Sequence, residues 1–302
     1  MSTSSEDRRR RLAVVVAVAI SVVTLAGCSA DPAPQPAVSL SVSGSPSAAA
    51  EEPSTVAEEP STPLRFKPAW LPEGYAEYRR GTIEATLSRL WTPAGPDFPL
   101  PRNSPILFLN VTPEAGKAEA DAGAQRVDVN GAEGVYRPAD HLLSWRLDEV
   151  GLSVGTLRSS LSKATLLRVA RSVRADAGAL ELPFRMQTLP GELKLLGRSV
   201  SGSAPDHWLA ELSLTSTEPS SSVTISVGTV TEAPKGGAKL TVAGRPARYV
   251  KSPRAGYYLV VNLGSGRQLT VLGIGRDKAA MIVLAESVQP VDAPELEWIG
   301  SD

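Results

Sequence analysis

The sequence predicts an α+β fold of two tandem repeats, each an antiparallel sheet closed by a C-terminal helix. Three observations lead to this prediction. The segments that begin at Asn130 and at Ala243 present similar elements in the same order. Both segments alternate apolar and polar residues, which is typical of half-buried strands. Both then end in a capped run with apolar residues at helical spacing.

Residues 1–27 have the composition of an export signal. Arg8–Arg11 precede an apolar run over residues 12–25, and small residues follow it. A basic start, a short apolar run and small residues before a cleavage site are typical of a secretory signal peptide. The run is also shorter than the roughly 20 residues of a membrane-spanning helix. Sec and twin-arginine export both stay open as routes.

Cys28 is the only cysteine of the chain, so it cannot form an internal disulfide. With Leu25, Ala26 and Gly27 it forms the sequence LAGC, which resembles the bacterial lipobox. The resemblance implies that a lipid with acyl chains such as palmitate is attached to Cys28, and that a signal peptidase recognises Leu25, Ala26 and Gly27. More than one acyl chain gives stable anchoring. We therefore expect a lipoprotein at the outer face of the cytoplasmic membrane; a plain signal peptide or a buried free cysteine is the alternative.

Residues 28–63 are predicted to be a disordered tether rich in Ser, Pro and Glu. From residue 29 to 63 there is no aromatic residue, and the sequence EEPST occurs twice, from Glu51 and from Glu58. Such a segment buries too little apolar surface to offset its ordering entropy. Without residues 1–27 the chain has 27 Lys and Arg against 30 Asp and Glu, a net charge of −3. This balance argues against a nucleic-acid partner.

The folded part is predicted to be two sheet-plus-helix domains, residues 64–176 and 182–300. Gly131 pairs with Gly244, and Tyr136 pairs with Tyr249. Strands of the first domain are expected at about 74–80, 86–92, 105–111, 125–137, 142–148 and 151–157. Asn130-Gly131 is expected in a hairpin turn. The closing helices are expected to begin at Ser162 and Asp277, with these apolar stripes: Leu166, Leu167, Ala170 and Val173; Met281, Leu284, Ala285 and Val288.

Two stretches resemble a widespread bacterial domain of unknown function. They are LLSWRLDEVGLSVGTLRSSLSKATLLRVARSV, from Leu142, and LPEGY at Leu71–Tyr75. Domains of this kind occur in lipoproteins and in anti-sigma-factor-like membrane proteins, so the resemblance implies a sheet-plus-helix fold and an envelope location. The second repeat departs from the pattern, because it has LPGEL and no Trp at the place of Trp145. The Ala-, Val-, Arg- and Pro-rich composition is typical of a high-GC bacterium such as an actinobacterium.

Few residues suggest catalysis. His141 and His207 each follow an aspartate, but they fall at different places in the two repeats and no Gly-x-Ser-x-Gly motif accompanies them. Two dispersed histidines also do not supply a metal site, and we expect no cofactor. Arg168, Arg171 and Arg174 form either a basic stripe for an anionic partner or a solvated helix face. The tryptophans in strand-like runs are expected in the core: Trp91, Trp145 and Trp208.

Three functions remain open from the sequence. The first is a non-catalytic binding or scaffolding module, anchored to the membrane through Cys28, that contacts an envelope protein or polymer. The second is a carrier of an apolar ligand such as an envelope lipid, which needs an apolar cavity of several hundred Å³. The third is a hydrolase, which needs converging polar groups with perturbed pKa values. The ligand-binding residues themselves are not predicted.

Overall fold

The computed structural model describes residues 61–95, 98–113, 122–216, 221–229, 233, 235–252, 256–291, 296 and 298–300. The predicted α+β class is wrong, because 62 % of these residues are in strands and 10 % in helices. The two predicted sheets join into one antiparallel sheet of 14 strands. The two α-helices have only ten and nine residues, so sheet dominates the architecture. Neither helix, within the described ranges, has the length and hydropathy needed to cross a membrane.

Eighteen strands are present in the described ranges. Up to residue 181 they are β1 (Ser61–Pro68), β2 (Tyr75–Ile83), β3 (Thr86–Pro93), β4 (Ile106–Pro113), β5 (Gln125–Val129), β6 (Ala132–Arg137), β7 (Leu142–Leu147), β8 (Val150–Leu157) and β9 (Val173–Glu181). Beyond it they are β10 (Phe184–Met186), β11 (Leu193–Ala204), β12 (His207–Ser216), β13 (Ser222–Gly228), β14 (Ala238–Val242), β15 (Arg245–Ser252), β16 (Gly256–Gly264), β17 (Arg267–Ile274) and β18 (Val288–Pro290). The strands that the sequence predicts between residues 74 and 157 are all present, and the longest is divided at a turn.

The large sheet consists of two halves with the same strand order. Counted from the middle outward, the first half is β2-β3-β4-β8-β7-β6-β5 and the second is β11-β12-β13-β17-β16-β15-β14. Asn130 and Gly131, with φ of 54° and 88°, form the predicted turn between β5 and β6. Ala243 and Gly244, with φ of 45° and 75°, form the corresponding turn between β14 and β15. The symmetry agrees with a tandem repeat, which stays an interpretation.

The two halves meet where β2 pairs antiparallel with β11, over Arg79–Ile83 and Gly197–Ser201. We call this pair the junction. Its strands approach closely because they carry glycine: a Cβ on Gly81 would lie 3.0 Å from the Cβ of Ser199. A Cβ on Gly197 would collide with the carbonyl of Thr82. Larger side chains at these two positions would force the half-sheets apart.

Two helices pack on one face of the sheet, and both begin where the sequence predicts. In α1 (Lys163–Ser172) the Ser162 hydroxyl accepts from the Thr165 amide at 3.1 Å, and in α2 (Lys278–Glu286) the Asp277 carboxylate accepts from the Ala280 amide at 2.8 Å. The buried helix residues are Leu166, Val169, Ala170, Met281, Leu284 and Ala285. Each helix lies over an apolar core, one for each half-sheet.

A two-stranded ribbon of β1 and β9 crosses the junction on this helix-bearing face. Leu64 and Leu180 of the ribbon are buried in the core of the second half. Phe66 and Val173 pack against the core of the first half. The ribbon therefore ties the two cores together, and β10–β18 forms a shorter ribbon beside the second half. β1 begins at Ser61, whereas the first domain was predicted to begin at residue 64.

The opposite face of the sheet is mainly polar, as expected for an antiparallel sheet with one face against a core. One row of mutually opposite residues crosses its middle strands: Ser144, Ser153, Asn110, Ser88, Gly81, Ser199, Glu211, Ser226 and Thr270. A small apolar cluster of Leu90, Ile106 and Phe108 lies near one end of this face. The buried ion pairs and the groove described below are on the helix-bearing face, beside the ribbon.

Candidate functional site at the junction

An ion cluster fastens the ribbon to the sheet at the junction. The Glu77 carboxylate on β2 accepts two hydrogen bonds from Arg89, at 2.7 and 2.8 Å, and two from Arg80, both at 3.0 Å. Arg89 also donates to the carbonyl of Phe66, at 3.2 Å, and to the Asp176 carboxylate. Two-pronged Arg–carboxylate pairs are strong and directional. We call Glu77, Arg80, Arg89 and Asp176 the junction ion cluster.

Glu77 and Arg89 at the centre of the cluster are buried, Arg80 and Asp176 are partly buried, and the charges are mutually satisfied. Only 5 % of Glu77 and 4 % of Arg89 is exposed. Burial by itself disfavours the charged form of Asp176, but the Arg89 charge and hydrogen bond, with the Gly178 amide and Lys67, hold its pKa below the ordinary value. Burial likewise opposes the charge of Arg89, and the hydrogen bonds and charges of Glu77 and Asp176 raise its pKa. A cluster paired in this way braces the fold and offers no group to a ligand.

An open groove lies next to the ion cluster, where the ribbon begins. It encloses about 430 Å³, and we call it the junction groove. Its walls come from the start of β1, the turn between β2 and β3, and the first part of β11. The lining residues are Thr62, Pro63, Arg65, Thr82, Glu84, Ala85, Leu87, Leu195 and Arg198. Three segments that are distant in the sequence thus form one site.

Backbone irregularities shape this groove. The register of β1 with β9 shifts between Pro63 and Arg65, and Arg65 has a φ of 66°. Glu84, in the turn between β2 and β3, has a φ of 50°, and its amide donates to the Leu196 carbonyl at 2.7 Å. Bulges re-aim side chains, and the left-handed backbone of Glu84 is that of a two-residue hairpin turn, as at Asn130. Here both irregular residues line the same groove.

The chemistry of the groove suits recognition of an anion next to an apolar group. Arg65 and Arg198 bring two permanent positive charges, and Glu84 brings one negative charge. Arg198 donates to the Thr62 hydroxyl, which links β11 to β1. Leu195 is 45 % exposed in the groove, although large apolar side chains are usually buried in this protein. Guanidinium groups stay protonated at physiological pH, so they are suited to binding anions and not to acting as general acids or bases.

The residues predicted for lipid attachment and cleavage lie outside the described residues: Leu25, Ala26, Gly27 and Cys28. The tether up to residue 60 also lies outside them. The anchor therefore stays a prediction.

Neither histidine lines the groove, and the two lie in different halves of the sheet. His141 follows a 3₁₀ turn at Pro138–Asp140 and has a φ of 47°. His207 opens β12, where its Nδ1 lies 3.0 Å from the Ser203 hydroxyl and its ring meets Phe98 edge-on. Both Ser203 and His207 border an exposed turn. Across the described residues, no three His, Cys, Asp or Glu side chains are grouped as a metal site would need.

The three arginines at positions 168, 171 and 174, the first two in α1 and the third at the start of β9, each have a local structural role. The Arg168 guanidinium stacks on Trp70, with 3.8 Å to the ring centroid. Arg171 donates to the carbonyl of Asp128, at 2.8 Å, and Arg174 donates to the carbonyls of Arg171 and Val173. These contacts favour the solvated-face interpretation of the helix. The three tryptophans predicted in the core are buried, since Trp91, Trp145 and Trp208 are 3 %, 5 % and 4 % exposed.

Sequence reasoning missed the groove residues. Arg65, Glu84 and Arg198 have no motif or spacing in common, because they belong to three segments joined only by the ribbon and the junction. One local signal was present in the sequence LKLLGRSV of β11, where Leu195 and Leu196 are adjacent. A strand with one buried face has room for only one of two successive leucines in its core. Two adjacent leucines therefore indicate that one of them stays outside the core, and Leu195 is the more exposed of the two.

Comparisons with known proteins leave the family open. No family model matches the chain. No curated protein matches it significantly. Among solved structures, the chain is similar to a chain in the complex of MucA and MucB from Pseudomonas aeruginosa, with 11 % sequence identity and a TM-score of 0.22. The alignment covers 76 % of this chain and 94 % of the chain in that complex. A second, MucB in complex with MucA(peri), has 10 % identity and a TM-score of 0.23 over the same shares. Such TM-scores define no shared fold.

Proposed function

We propose that the protein is an exported, lipid-anchored and non-catalytic binding module, and that the junction groove holds its partner. The observation that carries this proposal is the groove itself, in which Arg65 and Arg198 stand beside the exposed Leu195. A guanidinium pair next to an apolar side chain fits a polypeptide segment with a carboxylate and an apolar residue. The partner is then an envelope protein, within reach of an anchor at Cys28.

The groove does not suit an acyl chain. Three of its nine lining residues are charged and two carry hydroxyls. A lipid tail placed there would leave these polar groups without water or hydrogen-bond partners, which disfavours binding. The charged residues Arg198 and Glu84 therefore favour a polar partner over the apolar ligand of the carrier hypothesis.

The groove is also an unsuitable hydrolytic site, because it lacks a histidine. Within the described ranges, the nearest approach to a catalytic pair is Ser203 with His207, at 3.0 Å. That pair uses Nδ1 of the imidazole and lies beside an exposed turn, whereas a nucleophile and its base work in a cavity that orients the substrate. Hydrolysis therefore ranks below binding.

Photocrosslinking at position 195 tests the proposed function. A benzophenone amino acid replaces Leu195 in cells that export the full chain, and the same residue replaces Leu147 or Val283 as matched controls. These control positions are also large and exposed, at 41 % and 58 %, but they lie elsewhere in the fold. We expect a protein adduct at position 195 that is absent at the controls and is lost with Arg65→Glu.

Arg65 is a suitable probe because it is exposed and lies outside the ion cluster. Its substitution should leave the circular dichroism and the thermal midpoint unchanged. Equal adducts at all three positions, or an adduct at 195 that persists in Arg65→Glu, would contradict the assignment of the groove.

A further inference from the structure

The junction groove lies directly beside the start of the described chain. Thr62, the second described residue, lines the groove, and its hydroxyl accepts a hydrogen bond from Arg198. Pro63 and Arg65 line it too. The chain before Ser61 is therefore attached at the rim of the groove, and whatever that chain carries is held near Arg198.

The attached segment has the opposite charge. Residues 51–60 have the sequence EEPSTVAEEP, with four glutamates and no basic residue. Thr62 belongs to the second copy of the EEPST repeat, so Glu58 and Glu59 of that copy come just before the threonine that Arg198 contacts. The first copy, from Glu51, repeats the same acidic pair seven residues earlier.

We propose that the acidic segment 51–59 of this chain binds in the junction groove, with its glutamates against Arg65 and Arg198, and so competes with the partner. This inference rests on the proposed function for its biological meaning, although the docking itself needs no partner. The segment would act as a built-in, reversible competitor whose occupancy depends on charge. Glu84 is the one acidic group of the groove, and it leaves the lining with a net positive charge.

The lengths permit this docking. An extended chain spans at most about 3.3–3.6 Å per residue. Glu58 is three residues from Ser61, which gives it a reach of about 10 Å, and Glu51 is ten residues away, with a reach of roughly 35 Å. The acidic pair of either EEPST copy can therefore reach the groove when the segment folds back. Pro53 and Pro60 limit the backbone freedom that docking would remove.

The affinity that docking needs is small, because the segment is tied to the site. A short flexible connection gives an effective concentration on the order of millimolar. A segment whose intrinsic Kd is about 1 mM would then occupy the groove about half of the time and weaken partner binding about twofold. Arginine–glutamate contacts at such an exposed site are screened by salt. Occupancy should therefore fall as ionic strength rises.

Disulfide trapping in the full chain tests the inference. Cys28→Ser removes the native thiol, and Thr55→Cys with Leu195→Cys places one thiol in the segment and one in the groove. The matched variant also carries Gln in place of all four glutamates of residues 51–59. Leu195 is exposed, and the other substitutions lie before the described fold, so folding should be retained. The readout is the rate of intramolecular disulfide formation, measured on non-reducing gels and by mass spectrometry.

We expect the disulfide to form at least about fivefold faster with the glutamates than with the glutamines. We expect this difference to shrink in 0.5 M salt, because the Debye length there is shorter than the roughly 8 Å at physiological ionic strength and exposed charges are screened more strongly. Equal rates in both variants would mean chance encounter alone and would overturn the inference. The photocrosslinking at position 195 remains a separate outcome. If a partner adduct forms but the disulfide rates are equal, only the proposal that the acidic segment competes for the groove is contradicted. If the rates differ but no adduct forms, only the proposal that the groove binds a partner is contradicted.

Discussion

The junction ion cluster predicts a large and specific loss of stability when Arg89 is replaced. Arg89→Met removes the shared partner of Glu77 and Asp176, two carboxylates that are 5 % and 11 % exposed. Removing one member of a buried pair typically costs about 3–5 kcal/mol, because the remaining charge stays buried without compensation. Arg80 would still hold Glu77 through its two hydrogen bonds. We therefore expect Arg89→Met to lower the free energy of unfolding by about 3 kcal/mol, the lower end of this range.

Urea unfolding, followed by tryptophan fluorescence, measures this loss. Arg126→Met is the matched control, because Arg126 also pairs with a glutamate at 2.6 Å, but with side chains 75 % and 61 % exposed. Exposed pairs are worth at most about 1 kcal/mol. Arg89→Lys keeps the charge and loses the planar fork, so its stability should fall between wild type and Arg89→Met. A loss for Arg89→Met no larger than that for Arg126→Met would refute the idea that the cluster braces the junction.

Three further predictions concern pH, packing and the anchor. The pKa of Asp176 is lowered in the folded state, so the ionised carboxylate contributes to stability above its unfolded pKa, near pH 4, and this contribution is lost as pH falls through the folded pKa. Asp176→Asn should therefore flatten the pH dependence of the unfolding free energy, measured with urea, below about pH 4. An unchanged pH dependence would contradict this. Gly81→Ala should cost about 1–3 kcal/mol in the same assay through contact with Ser199, and an unchanged midpoint would show that the junction relaxes freely. Cys28→Ala should release the protein from the membrane fraction or leave it uncleaved, and unchanged membrane retention would count against the lipid anchor.

Much of the local structure could be predicted because it depends on neighbouring residues. Alternation of apolar and polar side chains reflects the two faces of a strand, so the strands from residue 74 to 157 were expected near where they lie. Capping is a contact between residues three apart, and Ser162 and Asp277 could be recognised as caps for the same reason. The Asn130-Gly131 turn required only two residues that accept a left-handed backbone.

The ribbon was not predicted, and its sequence explains why. The β1 sequence STPLRFKP contains two prolines, and the β9 sequence VRADAGALE has small residues in place of an alternating pattern. Neither segment resembles a strand by itself. They form one because each supplies the other's backbone hydrogen bonds across more than 100 residues of chain. Pairing of this kind has no local signature.

The fold class was wrong for a related reason. The sequence predicts each half-sheet correctly enough to suggest two similar domains, but an edge strand of one sheet can also pair with an edge strand of another. In this protein the edge strands β2 and β11 pair over Arg79–Ile83 and Gly197–Ser201, so the two half-sheets form one sheet. Glycines at 81 and 197 allow the approach, yet a glycine in a strand also marks bulges or bends, so the sequence alone does not identify the junction.

By itself the sequence determined the strands, the turns, the helix caps and the expectation of an exported, anchored protein, because each depends on residues close together in the chain. Only the tertiary structure decided that the half-sheets merge, that Glu77, Arg89 and Asp176 form one buried cluster, and that Arg65, Glu84 and Arg198 line one groove. Those outcomes depend on which distant backbones pair. The free energy of that pairing comes from hydrogen bonds and burial that form only in the assembled fold.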